Sequence, residues 1–304
     1  MITIGLISFN RLKYVKALFK SLENLNLSKI HTIVVDNGSW ETGLSDFLQE
    51  KQNNGVIQQL FLRKTAERNW INDEYIAKNI IIENSPNEII LFLQDDLQFI
   101  GNQEYLETVV RDFMNMNVLC LEINGVRRAT NYSKFASGMH VKSANGFKYW
   151  LPDKPHFQTM GLFKKSVFDA FGPYPVDWPK ERSNWGRSED HYDALIKSRY
   201  NGVINLSCHV PLFLPIWNDT RGGYAFFRND LRYGQYEDPT SATGLYYEHL
   251  SLREIIALQE IERPASFVDV AKTIDWNYAK SPDGDQLKYS QNDIVNSEKG
   301  VEIT

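Results

Sequence analysis

Disulfide chemistry is nearly closed to this chain of 304 residues, which has two cysteines, Cys120 and Cys208, far apart and in neither a zinc-ligand nor a redox spacing. Both read as small buried apolar side chains in a reducing compartment. Stability has to come from burial instead, and 42% hydrophobic residues over this length suffice for one large domain or a domain with an appendage. Long hydrophobic runs are missing too: none reaches the roughly 20 apolar residues that a membrane helix requires. The run in EIILFLQDDLQFI is cut by Asp95 and Asp96, and the opening MITIGLISFNR turns polar too soon for a leader, so it reads as a strand. A soluble, cytoplasmic protein without a transmembrane segment is expected. Positive charge is not in excess either. A formal net charge of -5 gives no general attraction to nucleic acid or anionic lipid and leaves open only a local basic patch. The chain has no internal repeat and no low-complexity segment.

What is present is alternation. ITIGLIS is a β-rich run that stops at Ser8-Phe9-Asn10-Arg11, after which Leu12, Val15, Leu18, Phe19, Leu22 and Leu25 recur at helical spacing. IHTIVV ends in Asp36-Asn37-Gly38-Ser39, a turn cluster suited to capping the next helix. A strand is expected in GVIQQLFL, a helix from about 72 to 83, and the strand EIILFLQ after Pro86-Asn87. Strands that alternate with helices predict a parallel sheet, whose carboxyl edge collects ligands. Asn10, Asp36 and the pair Asp95-Asp96 are therefore expected in one crevice. Beyond a helix near 103 to 116 and the strand VLCLEI, residues 124 to 160 read as loops or a hairpin that could lie over the site. Further helices are expected from Ser188 to about Arg199 and over 245 to 262, and the stretch from Ser281, with five acids against two lysines, as a loose tail.

Two adjacent carboxylates at the end of a buried strand repel each other and are costly to desolvate. Asp95-Asp96 makes sense if a divalent cation or a hydrogen-bond donor neutralises it, and an oxygen-only site of this kind suits magnesium or manganese bridging a diphosphate. A solvated turn would carry the same two residues, so the wider pattern has to decide. That pattern, over about residues 1 to 220, resembles the GT-A glycosyltransferases of the family 2 type. It comprises the first-strand loop Ser8-Phe9-Asn10-Arg11, the second-strand acid Asp36 in VVDNGS, Arg68-Asn69 before a helix, and a DXD-type motif at Asp95-Asp96. The resemblance implies a donor site built from Ser8, Asn10, Arg11, Asp36, Arg68 and Asp95, with Asp36 on the base or ribose and Asp95 on the ribose. Asp96 would hold the Mn2+ or Mg2+ of the donor diphosphate. Gln94 departs from the pattern, since many relatives carry a further acid there.

The segment MGLFKKSVF with Gly161, followed by Trp185-Gly186-Arg187-Ser188-Glu189-Asp190, also resembles the family, and it implies acceptor contacts at Gly161, Trp185 and Glu189. A carboxylate at that helix start can take a proton from an acceptor hydroxyl, which makes Asp190 the candidate base. The same two acids would also complement a helix dipole. His209 and Asp219 compete as a further metal ligand, although His209, between Cys208 and Val210, equally suits a core histidine. From Arg221 the stretch RGGYAFFRNDLRYGQY, with three arginines and five aromatic residues, could close on a diphosphate, line a sugar or base surface, or pack on the core.

The expected fold class is α/β, a Rossmann-like GT-A domain over 1-236 with a nucleotide-sugar part (1-100) and an acceptor part (101-236). A helical extension with an acidic tail follows over 237-304. The resemblance implies a hexosyl- or pentosyltransferase that uses a nucleotide-sugar donor, a UDP-sugar foremost, in a metal-assisted inverting displacement. Its acceptor would be a bacterial glycan or another soluble hydroxyl compound, a hydroxylated DNA base among them. Two other classes stay open at this point. A nucleotidyltransferase would ordinarily show a glycine-rich phosphate loop, which Ser8-Phe9-Asn10-Arg11 is not, and a non-catalytic sugar-binding module would leave the ordered acids idle.

Overall fold

Apolar residues dominate ITIGLIS, and β1 (Ile2–Ser8) is buried along its whole length: Ile2, Ile4 and Leu6 face one core and Ile7 the other. The computed structural model describes residues 1–64, 70–123, 135–152, 157, 160–176, 187–215, 245, 248–262 and 264–265, and at 70–72, 135–138, 187–190 and 215 the backbone alone. Helix α1 (Leu12–Leu22) buries Tyr14, Val15, Leu18, Phe19 and Leu22 on one face, as its spacing requires. It returns the chain to β2 (Ile30–Asp36), which pairs in parallel with β1. Helix α2 (Leu44–Asn53) leads to the short strand β3 (Gln59–Leu62), and α3 (Trp70–Asn84) leads to β4 (Ile89–Gln94) on the opposite side of β1.

The chain continues through β5 (Leu97–Phe99), α4 (Gln103–Asn115), β6 (Val118–Glu122), β7 (Phe135–Lys142), β8 (Lys148–Pro152), β9 (Gly161–Lys164), α5 (Lys165–Phe171), α6 (Arg187–Arg199), β10 (Val203–Cys208), β11 (Phe213–Pro215) and α7 (Leu252–Gln259). Among the described residues, nine strands form one sheet in the order β3-β2-β1-β4-β9-β6-β10-β8-β7, and β11 pairs with β5 in a small second sheet. All strands of the large sheet run one way except β9 and β8, which are antiparallel to their neighbours. It is the mostly parallel α/β sheet expected of a GT-A chain. Helices α1, α2, α4 and α7 pack on one face and α3, α5 and α6 on the other. The second face rests on rings: Phe92, Phe157, Phe163, Phe168, Tyr174 and Tyr192 meet at centroid distances from 4.8 to 6.3 Å. Gly5 belongs to the same packing, because a Cβ there would lie 2.4 Å from Ile81 Cγ2 of α3.

Two expectations change, and one, the hairpin, is met. The turn after β2 does not cap α2, which begins beyond Gly43 (φ 86°) without a side-chain cap, because Ser39 is turned back onto Asp36. The stretch from 124 to 160 contributes a hairpin, β7 and β8, that widens the sheet beyond β10; residues 124–134, 153–156 and 158–159 lie outside the described set. The helix expected from 245 is shorter. Leu250 N–H donates to the Ile100 carbonyl (2.7 Å), which holds the chain extended until Ser251 and Glu254 close a capping box and α7 starts. Residues 266–304, with the acidic tail, are also outside the described set.

Candidate active site

Strand β1 has β2 on one side and β4 on the other, so the connections leave it in opposite directions and open a crevice at its carboxyl end. Three strand ends meet there. Ser8 lies opposite Asp36, and its carbonyl accepts the N–H of Asn37 (2.9 Å). Phe9 N–H donates to Asp95 Oδ2 (2.8 Å), and Arg11 Nη1 bridges the acid pair, 2.8 Å from Asp95 Oδ1 and 3.0 Å from Asp96 Oδ2. Asn10 sits between these contacts with φ 51°, a left-handed conformation that asparagine tolerates better than most residues. Its Oδ1 accepts from the N–H groups of Trp40 (2.8 Å) and Glu41 (3.2 Å), and its own N–H donates to Ser39 Oγ (2.9 Å). Glu41 Oε2 in turn accepts the N–H of Leu12 (3.0 Å) at the start of α1. The two loops are thus one hydrogen-bonded unit.

The electrostatics follow from burial. Asp36, Asp95 and Asp96 are all buried. Loss of water pushes the Asp95 carboxyl up to about 7, with repulsion from Asp96 adding to the rise and the Arg11 guanidinium opposing it. Asp36 is also raised by burial, against the pull of the Ser39 hydroxyl and N–H. Oxygen is the only donor type at the acid pair, which fits a hard cation that keeps water and phosphate oxygens as its other ligands. Among the described residues no group of three or more His, Cys, Asp or Glu side chains forms a complete cage.

The remaining candidates separate by position. Glu189 and Asp190 fall in the first turn of α6, whose chain direction sets that turn at the carboxyl edge of the sheet. Their side chains, together with Arg68, Trp185, Asp219 and Arg221, lie outside the described residues. Gly161 (φ 137°) opens β9, where a Cβ would lie 2.3 Å from the Leu121 carbonyl oxygen, so close strand packing accounts for the glycine. His209 is corrected as a metal ligand. It is fully buried, its Nδ1 accepts from Trp150 Nε1, its Nε2 lies 2.9 Å from the Leu258 carbonyl, and the indole of Trp150 stacks on it at 25°. Both ring nitrogens are spent on α7 and β8.

Sequence reading missed Arg63, the residue after β3. Its Nη1 donates to Asn37 Oδ1 (2.7 Å) and to the Asp73 carbonyl (3.1 Å), and its Nη2 to Asp73 Oδ1 (2.8 Å). It also missed Glu74, whose Oε1 accepts from buried Lys78 (2.7 Å) and from Gln94 Nε2 (3.4 Å). An acid from α3 thus stands beside Gln94, where the sequence departs from the pattern it resembles. Glu74 and Lys78 are visible in sequence as an i,i+4 pair, but nothing local assigns that pair to Gln94.

The family described as Glycosyl transferase family 2 matches residues 3–174, more than half of the chain. No curated protein matches it in sequence. Among solved structures, S. aureus TarS 1-349 is 14% identical over 70% of this chain and 60% of that one, with a TM-score of 0.49. The mannosyltransferase PcManGT from Pyrobaculum calidifontis, in complex with GDP-Man and Mn2+, is 15% identical over 75% and 60%, with a TM-score of 0.47. The chain therefore spans about three fifths of the length of these two neighbours. No helix among the described residues is long and apolar enough to cross a membrane. From the extent of the family match, the chain belongs to glycosyl transferase family 2.

Proposed function

We propose that the protein transfers a sugar from a nucleotide-sugar donor to an acceptor hydroxyl, with inversion at the anomeric carbon. The observation that carries this reading is the meeting of Asp95, Asp96, Arg11 and Asp36 at the carboxyl ends of β1, β2 and β4. Asp95 there suits the ribose and Asp96, through a divalent cation, the diphosphate of a donor; Asp36 and Asn37 suit its nucleoside, and the first turn of α6 carries an acid at the same edge of the sheet. Asp96 would hold Mn2+ or Mg2+, which when bound offsets the charge of the departing nucleoside diphosphate. Arg11 supplies positive charge from the chain itself. Asp190 takes the acceptor proton as the acceptor oxygen bonds to the anomeric carbon, and the bond from that carbon to the phosphate oxygen breaks with its electron pair on the diphosphate.

The test is release of nucleoside diphosphate from a panel of UDP-, GDP-, CDP- and TDP-sugars with manganese and a pool of glycan acceptors. One donor is expected to turn over. Asp190→Asn is expected to slow turnover by a factor on the order of 100 to 10,000 while donor binding is kept. Equal turnover by wild type and variant would remove Asp190 from the chemistry.

A further inference from the structure

Lys78 is a buried ammonium that the proposed chemistry does not use. Its side chain is 1% exposed on α3, with Nζ 5.0 Å from the ring centre of Tyr75 and 5.5 Å from that of Tyr174. A charge so placed requires a countercharge, and Glu74 Oε1 supplies it at 2.7 Å. The Glu74 side chain itself is 29% exposed. The direction of α3 sets it at the crevice: Ser85, just past the end of the helix, bonds Thr3 near the start of β1, whereas Asp73 in the first turn bonds Arg63 beyond the end of β3. Gln94, the last residue of β4 and the neighbour of Asp95, donates from Nε2 to the same Oε1 (3.4 Å). Oε2 accepts from none of the described residues, so one carboxylate oxygen is left as an acceptor at this edge while the other is held by Lys78 and Gln94.

We infer that Glu74 accepts hydrogen bonds from hydroxyls of the transferred sugar, that Lys78 is the positioning residue that holds it there, and that the pair selects a neutral sugar over an anionic one. The inference rests on the donor reading above and deepens it. Transfer places the sugar between the diphosphate, at the end of β4, and the acid in the first turn of α6. Helices α3 and α6 pack on the same face of the sheet and are joined through rings, since Tyr174 lies 5.3 Å from Tyr75 of α3 and 4.8 Å from Tyr192 of α6. Both helices start at the carboxyl edge, so their first turns flank the way from β4 to α6, and Glu74 borders it beside Gln94. A carboxylate has acceptors only, which suits sugar hydroxyls as donors and repels a carboxylate carried by the sugar. Lys78, the cation that would offset such a charge, is already paired and shut away from the crevice by its burial.

The test measures calorimetric binding of UDP, GDP, CDP and TDP and of their glucose and glucuronic acid derivatives, all with manganese. The two derivatives differ at one carbon, a hydroxymethyl group in one and a carboxylate in the other. The wild type is expected to bind the glucose derivative about tenfold or more tighter than the glucuronic acid derivative of the same nucleotide. Glu74→Gln combined with Lys78→Met removes the two charges as a pair and leaves no buried ammonium alone. It is expected to bind the bare nucleoside diphosphate as the wild type does, to weaken the glucose derivative about tenfold and to narrow the gap between the two derivatives. Lys78→Met alone, which keeps the carboxylate but releases it, is expected to weaken the glucose derivative and to keep the preference. Damage to the fold would weaken the bare diphosphate too, and the comparison of derivatives on the wild type stands whether or not the variants fold. If the wild type binds none of these ligands, the donor reading fails and this inference with it. If it binds one nucleotide but takes both derivatives equally well, or if the double variant weakens diphosphate and glucose derivative together or leaves both unchanged, this inference alone is overturned.

Discussion

Asp95 is the residue on which burial and function pull in opposite directions. An ionised carboxylate is useful at the crevice, yet desolvation and Asp96 raise its pKa to about 7 despite Arg11. A carboxyl whose folded value lies above its unfolded one contributes stability below the ordinary carboxylate range and loses it as pH rises through the folded value. With chelator present, the melting temperature of the wild type is therefore expected to fall relative to Asp95→Asn, which has no proton to lose, as pH rises from the ordinary carboxylate range to about 7, and to level off above it. Parallel curves for the two proteins would contradict the assignment. The same scale explains why His209 was ambiguous. Cys208-His209-Val210 reads the same whether the ring binds a metal or bonds inward, and only the arrival of Trp150 and Leu258 from distant segments decides between them.

At the scale of elements, strand ends carry the site and helix packing holds them in place. The loops after β1, β2 and β4 were legible because each apolar run stops at polar residues, which marks both the end of the strand and the edge it faces. Arg63 was not legible, since an arginine after a strand has no local signature and gains meaning only when α3 brings Asp73 to it. Strands β5 and β11 were missed for a related reason: three residues are too few for a period to show, and their pairing joins Phe99 to Phe213 across the chain. The placement of α6, and with it Asp190, depends on the ring cluster around Phe163, which is fully buried and lies 5.3 Å from Phe92 and 5.2 Å from Phe157. Phe163→Ala is expected to cost about 3 to 5 kcal/mol, read from the denaturant midpoint. A cost below about 1 kcal/mol would mean that the cluster does not anchor this face.

For the whole molecule, a net charge of -5 opposes an anionic donor at long range, so attraction has to be local. Arg11 and Arg63 stand at the ends of β1 and β3, on either side of Asp36, but each is already paired with carboxylates, so the attraction falls to a cation brought to the acid pair. The order of the sheet makes this possible, because the reversal of connections at β1 sets its loop between those of β2 and β4 and brings residues far apart in sequence into one crevice. The central claim is that the acid pair at that crevice holds the diphosphate of a nucleotide-sugar. Calorimetric titration with UDP, GDP, CDP and TDP sugars, with manganese and with chelator, on the wild type and on Asp96→Ala, tests it most directly. Binding of one donor that requires manganese and is lost in the variant is the predicted result; no binding of any donor, or binding indifferent to both manganese and Asp96, would contradict it.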